Sequence, residues 1–181
     1  MLVALFCNQI AFSNISRLIS LSCGQIRAFV DGHNSRRLQV ARGKVTGQPA
    51  ASEMKMMVWD EELAAKASQW AKKNLHQHNP DKSVGSNRFT TGENLYWYST
   101  TNPKYVLQPD SALQSWFNEN VNYTFGPLQM SDFQKDYDIG HYTQKHRPHL
   151  PYRESNVRSN KLVCGVKHKC DRPYGTKCKR N

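Results

Sequence analysis

The chain has 181 residues, enough for one domain with a substantial core and too few for two ordinary ones. Its formal charge of +11 is concentrated at one end: residues 145–181 hold eleven Lys/Arg against two Asp/Glu, which leaves a net of +2 for the first 144. A near-neutral body with a basic tail excludes a basic nucleic-acid-binding face, and Tyr152 and Tyr174 are too few for a base-stacking platform in that tail.

Residues 1–23 contain no acid and a single arginine, and Asn and Ser interrupt their apolar run. They read as a secretory leader cleaved near Ser22 or Cys23, since a spanning helix needs about 20 mostly apolar residues. No second apolar run follows, so the mature chain is not expected to span a membrane. The five cysteines, at 7, 23, 164, 170 and 178, leave a long cysteine-free middle. That spacing excludes a zinc ribbon, and the odd count argues against a complete disulfide framework. The three carboxy-terminal cysteines are expected to form one disulfide with one thiol left over.

Ile26, Phe29, Val30, Leu38 and Ala41 form a partial stripe that predicts a helix over 25–42, carrying His33 and Asn34 and ending near Gly43. The run 46–54 reads as a loop. Asp60 is a natural N-cap, Glu61 and Glu62 suit the positive end of a helix dipole, and Trp59 lies just outside as a staple. Leu63, Ala67, Trp70, Ala71 and Asn74 then recur at helical spacing, which places His78 on the same face if the helix continues. His76 would face elsewhere, toward solvent. Residues 94–98 read as a short aromatic strand. Asp110 or Ser111 is expected to cap a third helix with Leu113, Trp116, Phe117 and Asn120 inward, and Glu119 shares the side of Trp116. Residues 138–144 are expected to run into a strand. Trp59, Trp70, Trp97 and Trp116 are taken as core, and Asn122-Tyr123-Thr124 is a glycosylation sequon that only a secreted chain could use. Helices alternating with short strands predict an α/β layered domain, and the polar tail is expected to be solvated.

The residues that carry chemistry are His78, Glu93, Glu119 and His141, in LHQHNP (75–80), GENLYWY (92–98), SWFNE (115–119) and GHYTQ (140–144). Two carboxylates and two imidazoles can hold a divalent cation, share protons, or hydrogen-bond one another into a rigid polar cleft. The residue types alone do not choose among these. HExxH and GxSxG are both absent, which argues against those two hydrolase designs.

Taken with HNSRR (33–37) and ASEMKMMVWDEELAAKASQWA (51–71), these motifs make residues 25–144 resemble the CAP superfamily of cysteine-rich secretory, antigen-5 and pathogenesis-related-1 proteins. The likeness is greatest to the venom-allergen or antigen-5 proteins of arthropods. It implies a three-layer α/β/α sandwich with His78, Glu93, Glu119 and His141 lining one open cleft, and zinc or another divalent cation on His78 and His141. It implies structural roles for His33, Asn34 and Asn94. It further implies an extracellular monomer, glycosylated at Asn122, that binds a protein or a lipid or sterol ligand. A metal-dependent hydrolase with Glu93 or Glu119 as general base is the rival reading. The expected organisation is a leader at 1–23, the CAP domain at 24–144 and a divergent basic tail at 145–181, with a remnant strand at 159–170.

The chain departs from the family pattern in three places. Asn74 stands where the family has a cysteine. Lys145–Val157 is polar where the family has an apolar central strand, so the sheet is expected to be incomplete. The cysteine-asparagine-tyrosine signature expected beyond this region is absent or cut off.

Overall fold

The computed structural model describes residues 21–87, 90–102, 104–134, 138–144, 164, 171–176 and 178, with the backbone of 4–12, 145 and 146. The elements in chain order are β1 (Ala4–Phe12), α1 (Cys23–Ala41), α2 (Glu61–Ala71), β2 (Gly92–Thr100), α3 (Pro109–Asn118), the 3-10 turns η1 (Glu119–Asn122) and η2 (Met130–Phe133), and α4 (Gly140–His146). β1 and β2 pair in parallel, from Ala4 opposite Gly92 to Phe12 opposite Thr100. A parallel pair needs a long crossover, and α1 and α2 supply it. The expected remnant strand at 159–170 lies outside the described residues, apart from Cys164.

Local chemistry sets the helix ends. Ser22 and Gln25 form a capping box: the Gln25 N–H donates to Ser22 Oγ at 3.2 Å and the Ser22 N–H to Gln25 Oε1 at 2.9 Å. At the other end of α1, Gly43 N–H reaches Val40 O and Lys44 N–H reaches Gln39 O, both at 2.9 Å, which is the Schellman pattern. The buried face of α1 is more polar than the apolar stripe predicts, because His33, Arg36 and Arg37 lie on it while Leu38 is only half-buried. Asp60 Oδ1 accepts from the N–H groups of Glu62 and Leu63 at 3.1 Å, so the cap read from the sequence forms.

Three expectations change. α2 stops at Ala71, and Asn74 takes a left-handed conformation at φ 50°, so His78 sits on a loop beyond the helix. Helix α3 begins at Pro109 with Gln108 at the cap position and no side-chain cap, because Asp110 is drawn instead to Arg36 Nη2 at 2.8 Å. Residues 140–146 are helical and not a strand. Ile139, Tyr142 and Thr143 are buried at three- and four-residue spacing, and the Thr143 N–H bonds Ile139 O at 3.0 Å.

The carboxy-terminal segment is docked where it is described, not solvated. Cys178, only 3 % exposed, is disulfide-bonded to Cys23 and packs with Ile26, Val30 and Trp59. Trp59 N–H donates to Pro173 O at 2.7 Å, and Tyr174 OH donates to Asp31 at 3.0 Å. Gly175, at φ +79°, passes so close that a Cβ would overlap the Glu61 carboxylate. Cys164 is disulfide-bonded as well. The expected pairing, with one bridge among the last three cysteines, therefore fails for Cys178, whose partner is Cys23.

The core is built around these elements. Phe29, Leu107, Ala112, Leu113 and Trp116 join α1 to α3, while Leu63, Ala67, Trp70 and Val84 seat α2 and its following loop. Trp116 Nε1 donates to Leu95 O at 2.9 Å, tying α3 to β2. Among the described residues no helix is long and apolar enough to cross a membrane.

Candidate functional site

The four candidate side chains arrive from four different segments and settle as two His–Glu pairs. Glu93 lies near the start of β2. Its Oε2 meets His78 Nδ1 at 2.8 Å and also accepts the Asn79 N–H at 2.9 Å. The loop that delivers His78 is pinned upstream, where Trp70 Nε1 donates to Gln77 O at 2.9 Å. Glu119 opens η1. Its Oε1 meets His141 Nδ1 at 2.6 Å, and its Oε2 accepts the Tyr142 N–H at 3.0 Å.

Exposure gives the pairs a direction. The Glu93 side chain is 4 % exposed beneath a His78 ring that is 55 % exposed, and Glu119 at 13 % lies beneath His141 at 29 %. Each carboxylate is therefore a buried acceptor holding an imidazole by Nδ1. An ionised carboxylate at Nδ1 keeps the proton there and leaves Nε2 of the neutral ring as the lone-pair nitrogen. Such an imidazole is oriented for a metal ion or for a ligand donor. Among the described residues, no group of three or more His, Cys, Asp or Glu side chains converges as a ready-made metal cage.

β2 connects the two pairs. Glu93 holds the first pair, and the adjacent Asn94, 2 % exposed, donates from Nδ2 to the His141 carbonyl at 2.9 Å. A second tie runs through ring contacts: Trp116 lies 6.2 Å from His141 and 6.3 Å from His33, stacked on both. Asn34 clamps the Met57 backbone from both sides, donating to its carbonyl at 2.9 Å and accepting its N–H at 2.8 Å. Nearby, Arg37 donates from Nε to Lys55 O at 2.8 Å, and burial pulls its guanidinium down to about 10. Burial likewise pushes the Tyr142 phenol up to about 12, where it bonds Gln48.

Several groups that shape the site gave no side-chain signal. The Asn79 and Tyr142 N–H groups are backbone donors, which residue types do not announce. Gln144 lies inside GHYTQ, and its carboxamide rests against Gly92 so closely that a Cβ there would overlap it. His76 is exposed, as its position suggests, and its ring meets Trp97 edge-on at 4.8 Å. Trp59, Trp70 and Trp116 are buried, whereas Trp97 is only half-buried. Asn122 is half-buried at the end of η1.

Comparison with known proteins gives the family. The model of the cysteine-rich secretory protein family, CAP, matches residues 30–151. Venom allergen 5.01 of Dolichovespula maculata is 32 % identical over 83 % of this chain and 70 % of its own length. Venom allergen 5 of Rhynchium brunneum is 34 % identical over 77 % of this chain and 57 % of its own. A scoloptoxin of Scolopendra dehaani is 34 % identical over 62 % of this chain and 51 % of its own. The chain thus spans between half and about two thirds of the length of these relatives. No solved structure matches significantly. The match over 30–151 contains both His–Glu pairs, and the chain belongs to the cysteine-rich secretory protein (CAP) family.

Proposed function

We propose that this chain is a secreted, monomeric CAP protein of the venom-allergen type that acts by binding. Its His78–Glu93 and His141–Glu119 pairs form one polar cleft in a three-layer α/β/α sandwich, facing an extracellular protein or a small lipid or sterol. The packing of α4 against β2 supports a helical layer on that strand.

The observation that carries the binding reading is the double commitment of each carboxylate. Glu93 and Glu119 each hold a ring nitrogen and a backbone N–H. A general base needs a carboxylate oxygen within reach of a water; both Glu119 oxygens and Glu93 Oε2 are instead engaged in orienting an imidazole and a backbone N–H. The same donor set suits a divalent cation such as Zn²⁺, with His78 and His141 supplying Nε2 and water completing the shell. The cation would then polarise or coordinate a ligand's oxygen. Secretion is supported by the three disulfide-bonded cysteines described above, which need an oxidising compartment, and by likeness to proteins named as venom allergens. Ser22 caps α1 and Cys23 is bridged, so a leader would have to end before Ser22.

Calorimetric titration of Zn²⁺ into the purified chain tests the cleft. Binding is expected for the wild type and lost in both His78→Ala and His141→Ala, with Glu93→Gln and Glu119→Gln weakened about 10- to 100-fold through their rings. Binding unchanged in both histidine variants would overturn the site. Chelator-sensitive peptide hydrolysis that disappears in Glu93→Gln would replace the binding reading with a hydrolase.

A further inference from the structure

The turn η1 begins at Glu119 and ends at Asn122, the first residue of Asn-Tyr-Thr. In a 3-10 turn, residues three apart eclipse one another, so Asn122 stands directly above Glu119 on one face, about 6 Å along the axis. Glu119 in turn holds His141, and α4 packs against η1. Whatever is attached to Asn122 therefore stands beside the His141 half of the cleft. The His78 half hangs from a different loop.

We propose that Asn122 carries an N-linked glycan that roofs the Glu119–His141 pair and leaves the His78–Glu93 pair open. This rests on the secretion reading above, because the transfer needs a lipid-linked oligosaccharide in the secretory pathway. In that transfer the Asn122 Nδ2 forms a bond to the sugar's anomeric carbon while the bond from that carbon to the polyprenyl diphosphate breaks. The amide proton leaves to a base and the diphosphate departs with the electron pair. No redox change is involved.

The root of the glycan is fixed on both sides. Asn120 Nδ2 donates to Phe117 O at 2.6 Å, Tyr123 N–H to Asn120 O at 3.2 Å and Tyr123 OH to Gly126 O at 3.2 Å. The Tyr123 ring also packs 5.7 Å from that of Tyr142, next to His141 in the chain. A glycan on a mobile loop would sweep past many surfaces, whereas one rooted here stays over one. Val121 is 81 % exposed and Met130 78 % exposed, and the first is the immediate neighbour of Asn122. Thr124 is exposed as well, so the sequon's hydroxyl is not committed to the core.

The experiment uses the full chain secreted from eukaryotic cells. The tryptic peptide containing Asn122 should carry a glycan mass that peptide N-glycosidase removes and that both Asn122→Gln and Thr124→Ala abolish. Diethyl pyrocarbonate then reports imidazole access. His141 should react several-fold more slowly in the glycoform than in the enzymatically stripped protein or in Thr124→Ala, and His78 should react alike in all. Thr124→Ala keeps Asn122 itself, which separates shielding from any disturbance of η1. A secreted protein with bare Asn122, or equal His141 rates with and without sugar, overturns this inference and leaves the secretion reading standing. A chain that never enters the secretory pathway overturns both.

Discussion

Removing the Cys23–Cys178 bridge should cost this fold more than any single side chain in it. The bridge closes a loop with a sequence separation of 155 residues, nearly the whole described chain. In the chain-entropy treatment such a loop restricts the unfolded state by about 5 kcal/mol, and measured losses for native bridges run about 2–5 kcal/mol. Small domains are stable by only about 5–15 kcal/mol in total. The local geometry adds to the entropic effect. Cys178 is buried among Ile26, Val30 and Trp59, and the Pro173 and Tyr174 contacts lie in the segment that the bridge tethers. Cys23→Ser/Cys178→Ser, unfolded in urea beside the wild type under non-reducing conditions, should lose about 3–5 kcal/mol. The amino-terminal turn of α1 should also lose hydrogen-exchange protection. A loss under about 1 kcal/mol, with α1 still protected, would refute the claim that the tail acts as a clasp. Reductant alone is a poorer test, because it opens the Cys164 bridge too.

Alkaline titration isolates Tyr142. Its phenol is held neutral up to about 12 when folded and ionises near 10 when unfolded, so its contribution is present below pH 10 and is lost as pH rises from 10 toward 12. Tyr142→Phe should be less stable than wild type at pH 9, and the gap should shrink by about 1 kcal/mol per pH unit above 10; a gap independent of pH would contradict the burial argument. Gly92→Ala tests the seat of Gln144. It should cost about 1 kcal/mol in the wild-type background and almost nothing in Gln144→Ala, since the clash is with the far end of that side chain. Equal costs in the two backgrounds would mean the glycine is needed for its backbone alone.

The parts of the fold that follow from neighbouring residues were legible in the sequence. Asp60 caps α2 because its carboxylate reaches N–H groups two and three residues on, and the stripe Leu63, Ala67, Trp70 buries as its spacing requires. Ser22 and Gln25 carried an equally local capping signal, but it lies at the edge of a stretch read as a leader. What failed depended on distant partners. Asp110 looked like a cap until Arg36 drew it away, and no local pattern contains that choice. The continuation of α2 toward His78 is cut by Asn74 and replaced by the bond from Trp70 to Gln77. Residues 138–144 were expected to run into a strand, yet no apolar run follows to form one. The buried positions Ile139, Tyr142 and Thr143 fit a helix better. The docking of 171–178 was hidden because charge counts locate a tail without showing where a single tyrosine or cysteine lands.

The site itself shows why its residues were readable while its geometry was not. Glu93 and Asn94, neighbours on β2, serve the two halves of the site. One takes His78 and the other takes the His141 backbone, which makes β2 the beam on which both halves hang. β1 covers one edge of that beam along its full length. If a leader ending before Ser22 is removed, β1 leaves with it and that edge is bared. The beam must then be held by its side-chain ties: Trp116 to Leu95, Asn94 to His141, Glu93 to His78 and Asn79. These ties end at the imidazoles that would bind a cation. Ion or ligand binding at the cleft would then stabilise the same strand that positions it, by an amount set by the ligand concentration relative to its Kd.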